Sequence, residues 1–419
     1  MLKPFSFLFR GSLILRILIG VILALVIYFV APVISKHVAI LGDLFVTLLR
    51  SIAPLLVFVL LIASILKADA GSNKIIKSIV LLYIASSVFA AVLAAAITLG
   101  VPPIKLNFTG IDTSSVQLAK ETSAGEVLVT QFLRMFENPV AALVNANFMA
   151  LLSWAVAFGV AFRYASKTTK DLLFSVADAT TKIVGWIVQL APIGVFGIFS
   201  SVLVNHGVTE ILKYGKLIVL LLSIYLIIQF VFYPIVGYIY MRKNPFPLLF
   251  KCTIQSGIPA FFSRSSAANI PVNIKLADDL NVPRKISAFT LPLGANISLT
   301  AASATITVLS ITTALSLGID VHYSTAVLSC IVAALCAIGC SGVPGGSLLM
   351  IPIASSLFGI SPEIASQMIA IGFLISVIQD SVETAVNSSG DIFYTKAVCV
   401  RYGAEGVNDD GEEQEPVVK

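Results

Sequence analysis

The chain has 419 residues, 58% of them hydrophobic and 12% charged, with a formal net charge of +5 and a mean hydropathy of +0.98. A soluble domain carries about 25% charged residues, so this composition excludes an ordinary soluble fold and indicates a membrane protein. Five cysteines with no CxxC pair and three scattered histidines argue against a disulfide framework, a zinc site or a histidine-based catalytic centre, and nothing suggests a nucleic-acid partner.

The first apolar run, Ile14 to Val33, is close to the roughly 20 residues a bilayer needs, and no small-x-small cleavage site follows it. It is expected to be a retained first membrane helix. Long apolar segments lie at about 12–33, 41–66, 76–100, 139–162, 172–204 and 212–241, each able to cross a hydrocarbon core of about 30 Å. Alternate connections are basic: Lys67, Lys74 and Lys77, then Arg163, Lys167 and Lys170, then Arg242, Lys243 and Lys251. The intervening ones are poorer or mixed, including the polar "NFTGIDTSSVQLAKETSAGE". By the positive-inside rule, six helices come first with both ends in the cytoplasm. The acidic tail "NDDGEEQEPVVK" is expected to be cytoplasmic and disordered.

Beyond residue 244 the apolar segments are interrupted. "NPFPLLFKCTIQSGIPAFF" stops at "SRSSAAN" and resumes as "IPVNIKLADDLNVPRK"; "AVLSCIVAALCAI" stops at "GCSGVPGGS" and resumes as "LLMIPIASSLFGISPE". Such pairs of half-spans read as re-entrant hairpins, because backbone leaves helical geometry at membrane depth only where protein or a cavity satisfies it. A full-length, polar-spotted helix follows each hairpin, at 284–313 and 362–398. With an odd number of crossings between them, the hairpins open from opposite sides, which is an inverted repeat and points to a transport site.

The last helix contains "IQDSVETAVNSSGD", with three carboxylates inside an apparent span. At 100° per residue, Asp380, Thr384, Asn387 and Asp391 fall at about 0°, 40°, −20° and 20°, and Glu383 lies about 60° to one side. Ionisable groups at membrane depth mark pathways; the competing reading is helix-to-helix ion pairing. Arg264 is the basic residue at a hairpin tip and can neutralise one acid, so the other two need a metal ion, a proton or a substrate amine. The first tip, with Ser265 and Ser266, offers hydroxyls and helix-start amides suited to a carboxylate, or else a turn that satisfies its own backbone. In "LPLGANISLTAASATIT", Asn296, Ser298 and Thr300 sit among small residues that permit either close packing or ligation.

On "ENPVAAL", "APIGVFG", "FFSRSSAANIPVN", "LPLGA", "SGVPGG" and "QDSVETAVNSSGD", the chain resembles the dicarboxylate/amino acid:cation symporter (glutamate transporter) family over nearly its whole length. Within it, the chain looks most like the sodium-coupled serine/threonine symporters. The resemblance implies an all-α membrane protein, a homotrimer of eight transmembrane helices and two re-entrant hairpins. Residues 1–75 and 101–210 would form the scaffold. Residues 76–100 and 211–398 would form the transport domain, with a tail at 399–419. It further implies substrate contacts from Ser265, Ser266, Gly342, Val343, Asp380 (to the amine), Thr384 and Asn387, with Glu383 facing the same cavity. Sodium, the coupling ion, would be held by Asp391 with Gly294, Asn296, Ser298 and Asn387, and at a further position near the carbonyls of Ala337, Ile338 and Cys340. The second tip, Ser341 to Val343, would close over the substrate, and Arg264 would balance charge, pairing with Glu383.

Two departures bear on the substrate. The glutamate transporters read "NMDGT" where this chain reads "SLTAA", so Thr300 replaces an acid and one sodium position is expected to be lost or weakened. They also have an arginine at the position of Glu383, and that arginine holds the substrate's side-chain carboxylate. The expected protein is therefore a bacterial inner-membrane importer of serine and threonine, not an enzyme. The alternative within the family is a sodium- or proton-coupled importer of acidic amino acids or dicarboxylates. A channel would need a continuous polar pore, and a serine hydrolase would need a base beside Ser265 or Ser266, which the sequence does not supply.

Overall fold

The structure, a computed structural model, describes residues 13–30, 32–67, 74–108, 133, 135–145, 147–206, 209–338, 340 and 345–404. Among the described residues every regular element is a helix. Helices are what these apolar segments must form, because the bilayer core offers no water to their backbone N–H and C=O groups.

The chain begins with α1 (Leu13–Val30), α2 (Pro32–Lys67), α3 (Lys74–Gly100), α4 (Pro139–Val144), α5 (Phe148–Ala161), α6 (Lys167–Gln189) and α7 (Ala191–His206). Next, α8 (Thr209–Ile227) runs through a π-turn at Ile228–Phe232 into α9 (Tyr233–Met241). The first hairpin has one arm made of α10 (Phe246–Cys252), a second π-turn (Thr253–Gly257) and α11 (Ile258–Ser263), and a return arm α12 (Ile270–Asp279). Then come α13 (Arg284–Ile297) and α14 (Thr300–Ser316). The second hairpin is α15 (Tyr323–Ile338) returning as α16 (Gly346–Leu349) and α17 (Ile351–Ser356), followed by α18 (Pro362–Arg401).

Among the described residues, four stretches are long and apolar enough to cross a membrane: Lys74–Gly100, Leu212–Met241, Arg284–Ser316 and Pro362–Arg401. The apolar window of Arg284–Ser316 is 100% buried within the protein, against 44% for Leu212–Met241. The former is therefore a central element and the latter has a face left for lipid.

Several expected single helices are divided. The segment 172–204 is two helices bent by 52° about Leu190, where Pro192 lacks the N–H that would continue the first helix. The segment 139–162 restarts at Asn147, whose side chain accepts from the Ala150 N–H and caps α5. The helix expected at 284–313 is broken at its centre, between α13 and α14. The last helix runs to Arg401 with Cys399 buried, so the expected tail begins later than residue 399. Most of the polar loop after Asn107, the second-tip residues Ser341, Gly342 and Val343, and the chain from residue 405 lie outside the described residues.

The helices pack in two groups. α7 lies against α1 and α2, and α2 also packs on α5 and α6. In the other group α14 packs on α3, α15 and α18, and α18 also meets α9, α11 and α13. The first group depends on a backbone contact: a Cβ on Gly197 would lie 2.2 Å from the Gly42 nitrogen, and one on Gly42 would lie 2.5 Å from the Ile198 nitrogen. Small residues permit this approach where no hydrophobic force drives helices together in lipid. Overpacking costs about 1–3 kcal/mol. Gly197→Val is therefore expected to lower the thermal midpoint of the purified protein in detergent, whereas Gly215→Ala, whose Cβ meets nothing within 4 Å, is not. Equal midpoints for the two variants would show that the contact does not matter.

Candidate substrate and ion site

The spacing along α18 puts its polar stripe on the inner face, and Asp380, Glu383, Thr384, Asn387 and Asp391 are each 6% exposed or less. Burying three carboxylates demands compensation, and each finds a different kind.

Asp380 takes a cation from the first tip. α11 ends at Arg264 in the left-handed region, with φ 53° and ψ 29°, a conformation that costs a residue with a Cβ about 1–2 kcal/mol. The turn points the guanidinium at α18. Its Nε donates to Asp380 Oδ2 at 2.8 Å and its Nη2 reaches the same oxygen at 2.7 Å. The Gly345 N–H, at the start of the second hairpin's return arm, also donates to Asp380 Oδ2, at 3.3 Å. One carboxylate thus fastens elements of both hairpins to α18.

The expected pairing of Arg264 with Glu383 is corrected by this geometry. Glu383 is satisfied by neutral donors instead, all on Oε2: Ser347 Oγ at 3.0 Å, Gln379 Nε2 at 2.6 Å and Thr305 Oγ1. A wheel angle of about 60° puts two acids beside one cavity but does not decide which of them a guanidinium reaches.

Between the hairpins and α18 lies a polar cavity. Its walls are Ser266 from the first tip, Leu299 and Ala302 from the broken helix, Cys340 and Ser347 from the second hairpin, and Asp380, Glu383, Thr384 and Asn387. Among the described residues no lysine or arginine lines it, and Arg264 reaches Asp380 from outside the lining. Ser265 is not in this lining; its Oγ accepts from the Ala268 N–H at 3.2 Å, as the self-satisfied turn would have it. Thr384 Oγ1 donates to the Asp380 carbonyl at 2.7 Å.

Asp391 lies two to three turns further along α18, beside the break in the opposing helix. Ser298 and Leu299 leave helical geometry (ψ 60° and 58°), and Asn387 Oδ1 accepts the Ala301 N–H at 2.7 Å, capping α14 from a neighbouring helix. Among the described residues, Asp391 Oδ1, Ser298 Oγ and Thr300 Oγ1 are buried and make no well-formed hydrogen bond, with Ser298 facing Asp391 and Thr300 facing Tyr233. Gly294 makes the room: a Cβ there would meet Asp391 Cγ and the Tyr83 ring at 3.1 Å. A buried, unpaired carboxylate oxygen is costly. Hydroxyls, one acid and backbone carbonyls of the last turn of α13, where the Gly294 carbonyl accepts the Ser298 N–H at 2.8 Å, make a hard-oxygen set that fits a small cation such as sodium. Among the described residues no group of three His, Cys, Asp or Glu forms, so the donors suit sodium better than a transition metal.

Gly294, Ser298, Asn387 and Asp391 are therefore brought together. The Asn296 side chain points elsewhere, about 200° from Gly294 around α13, with its Nδ2 donating to the Pro292 carbonyl at 2.9 Å, so any part it plays is through its backbone carbonyl. Of the further sodium set, the Ala337 carbonyl accepts the Cys340 N–H at 2.9 Å, and Ile338 ends α15. Gly342 and Val343 lie outside the described residues. Sequence reasoning missed Gln379, Thr305, Ser347 and Gly345. The hydroxyl-rich run of α14 and the placement of Gln379 one turn before Glu383 are the signals that could have found the first two.

A sequence profile of the sodium:dicarboxylate symporter family matches residues 13–400. The chain belongs to that family. It is a multi-pass membrane transporter of the glutamate-transporter type, with sodium as coupling ion and a small molecule as cargo.

Two outcomes follow for this symporter. Asp391→Asn keeps the shape and removes the charge, and is expected to raise the sodium concentration for half-maximal substrate binding at least about fivefold; an unchanged sodium dependence would take Asp391 out of the ion site. Removing one partner of a buried ion pair costs about 3–5 kcal/mol. Arg264→Ala is thus expected to destabilise the substrate-free protein in thermal unfolding, and adding Asp380→Asn to restore most of the loss. A double variant no more stable than Arg264→Ala would show that charge is not the cause.

Proposed function

We propose that this protein is a sodium-coupled symporter that imports L-serine and L-threonine by alternating access. The observation that carries this reading is the cavity's charge. Arg264 is already spent on Asp380, and Glu383 presents a second carboxylate where an acidic substrate would need a cation.

The α-ammonium of a bound amino acid takes a position against Asp380 in exchange for part of the Arg264 contact. Its carboxylate turns to the first tip, where Ser266, the backbone amides and the displaced guanidinium can receive it. The zwitterion adds no net charge, so the swap leaves the cavity's balance unchanged. The side chain faces Glu383. A hydroxyl there donates to the carboxylate, and a methyl is tolerated, whereas a second carboxylate is left without a partner. That defect costs about 3–5 kcal/mol, more than a hundredfold in affinity. Sodium at Asp391 and the carbonyls of the last turn of α13 links ion occupancy to the same helix that binds substrate.

The remaining architecture belongs to the same proposal. The group containing α1, α2, α5, α6 and α7 serves as the scaffold of a homotrimer. The group containing α3, α14, α18 and both hairpins moves substrate across a bacterial inner membrane, with both termini in the cytoplasm. The two packing groups support this division, and the twofold hairpin–helix order supports alternating access.

The test is uptake of labelled serine, threonine and aspartate into proteoliposomes under imposed sodium or proton gradients. Sodium-driven serine and threonine uptake is expected, with aspartate at least about a hundredfold weaker. Glu383→Arg is expected to weaken serine uptake and admit measurable aspartate; Glu383→Gln loses less serine and gains little aspartate. Wild-type protein that binds aspartate as tightly as serine would refute the charge argument.

A further inference from the structure

Behind Glu383, on the side away from the cavity, lies a set of side chains that the transport reading has not used. Tyr225 from α8, Thr305 from α14 and Gln379 from α18 are each 0% exposed; Ser347, which also reaches Glu383 Oε2, lines the cavity itself. Gln379 Nε2 lies 2.6 Å from Glu383 Oε2, 3.0 Å from Tyr225 Oη and 3.2 Å from Thr305 Oγ1. Tyr225 Oη and Thr305 Oγ1 are 2.6 Å apart, and Thr305 Oγ1 contacts Glu383 Oε2.

With Glu383 as a carboxylate, the protons in this set run toward it. Gln379 must turn its NH2 to Glu383, since its carbonyl oxygen there would face a carboxylate oxygen. Its second N–H then points at the Tyr225 oxygen. With Glu383 ionised, the Tyr225 proton goes to Thr305 Oγ1 and the Thr305 proton to Glu383, in competition with the Ala301 carbonyl 3.0 Å from Thr305 Oγ1. With Ser347, three donors converge on Oε2. No described residue donates to Oε1, and Glu383 lines the cavity. The arrangement is not one that stability alone selects: it strands Gln379 Oε1, buried and without a partner, a loss of about 1–3 kcal/mol for such a group.

We propose that Tyr225, Thr305 and Gln379 form a positioning relay. It holds Glu383 with Oε2 occupied and Oε1 presented to the cavity as the acceptor for a substrate side-chain hydroxyl, and so sets the preference for hydroxylated over aliphatic amino acids. The inference rests on the reading of the cargo as a small neutral amino acid. The three residues touch Glu383 or one another and not the substrate, so they act on selectivity through the carboxylate's orientation. Loosening the relay lets Oε1 turn away or swap with Oε2. Only a ligand that hydrogen-bonds Oε1 is affected.

The experiment is equilibrium binding of L-serine and L-alanine to the purified full chain at saturating sodium. Thr305→Val removes the hydroxyl without changing shape and is expected to weaken serine about tenfold, as the loss of a hydrogen bond to a charged group does, while alanine affinity stays within about twofold. Thr305→Ser restores the hydroxyl and should return serine to within about twofold of wild type. Tyr225→Phe, one step further back, should reduce serine affinity by about threefold and leave alanine alone. Alanine affinity also reports that each variant is folded, and if Thr305→Val is not recovered, Tyr225→Phe carries the same comparison. Parallel loss of serine and alanine, or no change in either for both variants, overturns the relay and leaves the cargo assignment standing. Wild-type protein that binds neither amino acid overturns both.

Discussion

Three carboxylates buried along one helix set the terms for everything around them. An ionised group at membrane depth must find compensation, and α18 carries Asp380, Glu383 and Asp391 within three turns. The protein does not answer with three cations. It gives Asp380 a guanidinium, Glu383 a cluster of neutral donors, and leaves Asp391 with an oxygen that no described group satisfies. In the proposed function these three solutions correspond to three tasks: a contact that can be exchanged, an acceptor that is held in place, and a site for an ion from outside.

The irregular backbone follows from the same demand. A continuous helix opposite Asp391 would present only bonded peptide groups, whereas the break at Ser298 and Leu299 ends one helix and starts another there, so peptide groups of both ends lack intrahelical partners. Asn387 makes the break tolerable by accepting the Ala301 N–H that the next helix would otherwise leave unbonded. At the first tip, the left-handed Arg264 allows the chain to reverse and deliver its side chain to Asp380 in one residue. In both places the departure from regular helix is stabilised by a residue of α18, so the acids and their surroundings are built as one unit.

How much of this is legible in the sequence depends on the range over which each feature is encoded. The stripe on α18 and the two interrupted spans are local patterns of period or polarity, and they lie where the spacing predicts. The bend before Pro192 carried a local mark that long apolar composition outweighed. The break at Ser298 carried none at its own position, and the acceptor that stabilises it, Asn387, lies about 90 positions away. Pairing is harder still. Asp380 and Glu383 both face the cavity, and only the reach of Arg264 and the depth of Thr305 and Ser347 decide which acid receives charge and which receives hydrogen bonds. Asn296 shows a further limit: its place in the segment does not reveal that its side chain turns back to the Pro292 carbonyl.

A buried ion pair contributes little net stability, because desolvation offsets most of the attraction, yet removing either partner is expensive. That asymmetry suits a transport site. Since the Arg264–Asp380 pair is close to neutral in free energy, a ligand that supplies its own ammonium and carboxylate can exchange with it without a large barrier. A ligand supplying only one of those charges cannot, because it leaves the other partner bare. Gly345 adds a geometric condition, for its N–H shares the same Asp380 oxygen. Any group that competes for that oxygen also loosens the second hairpin's hold on α18. In the proposed function, occupancy of the site is therefore coupled at Asp380 to elements of both hairpins, and a symporter needs such a junction if the empty and loaded forms are to close while half-loaded forms do not.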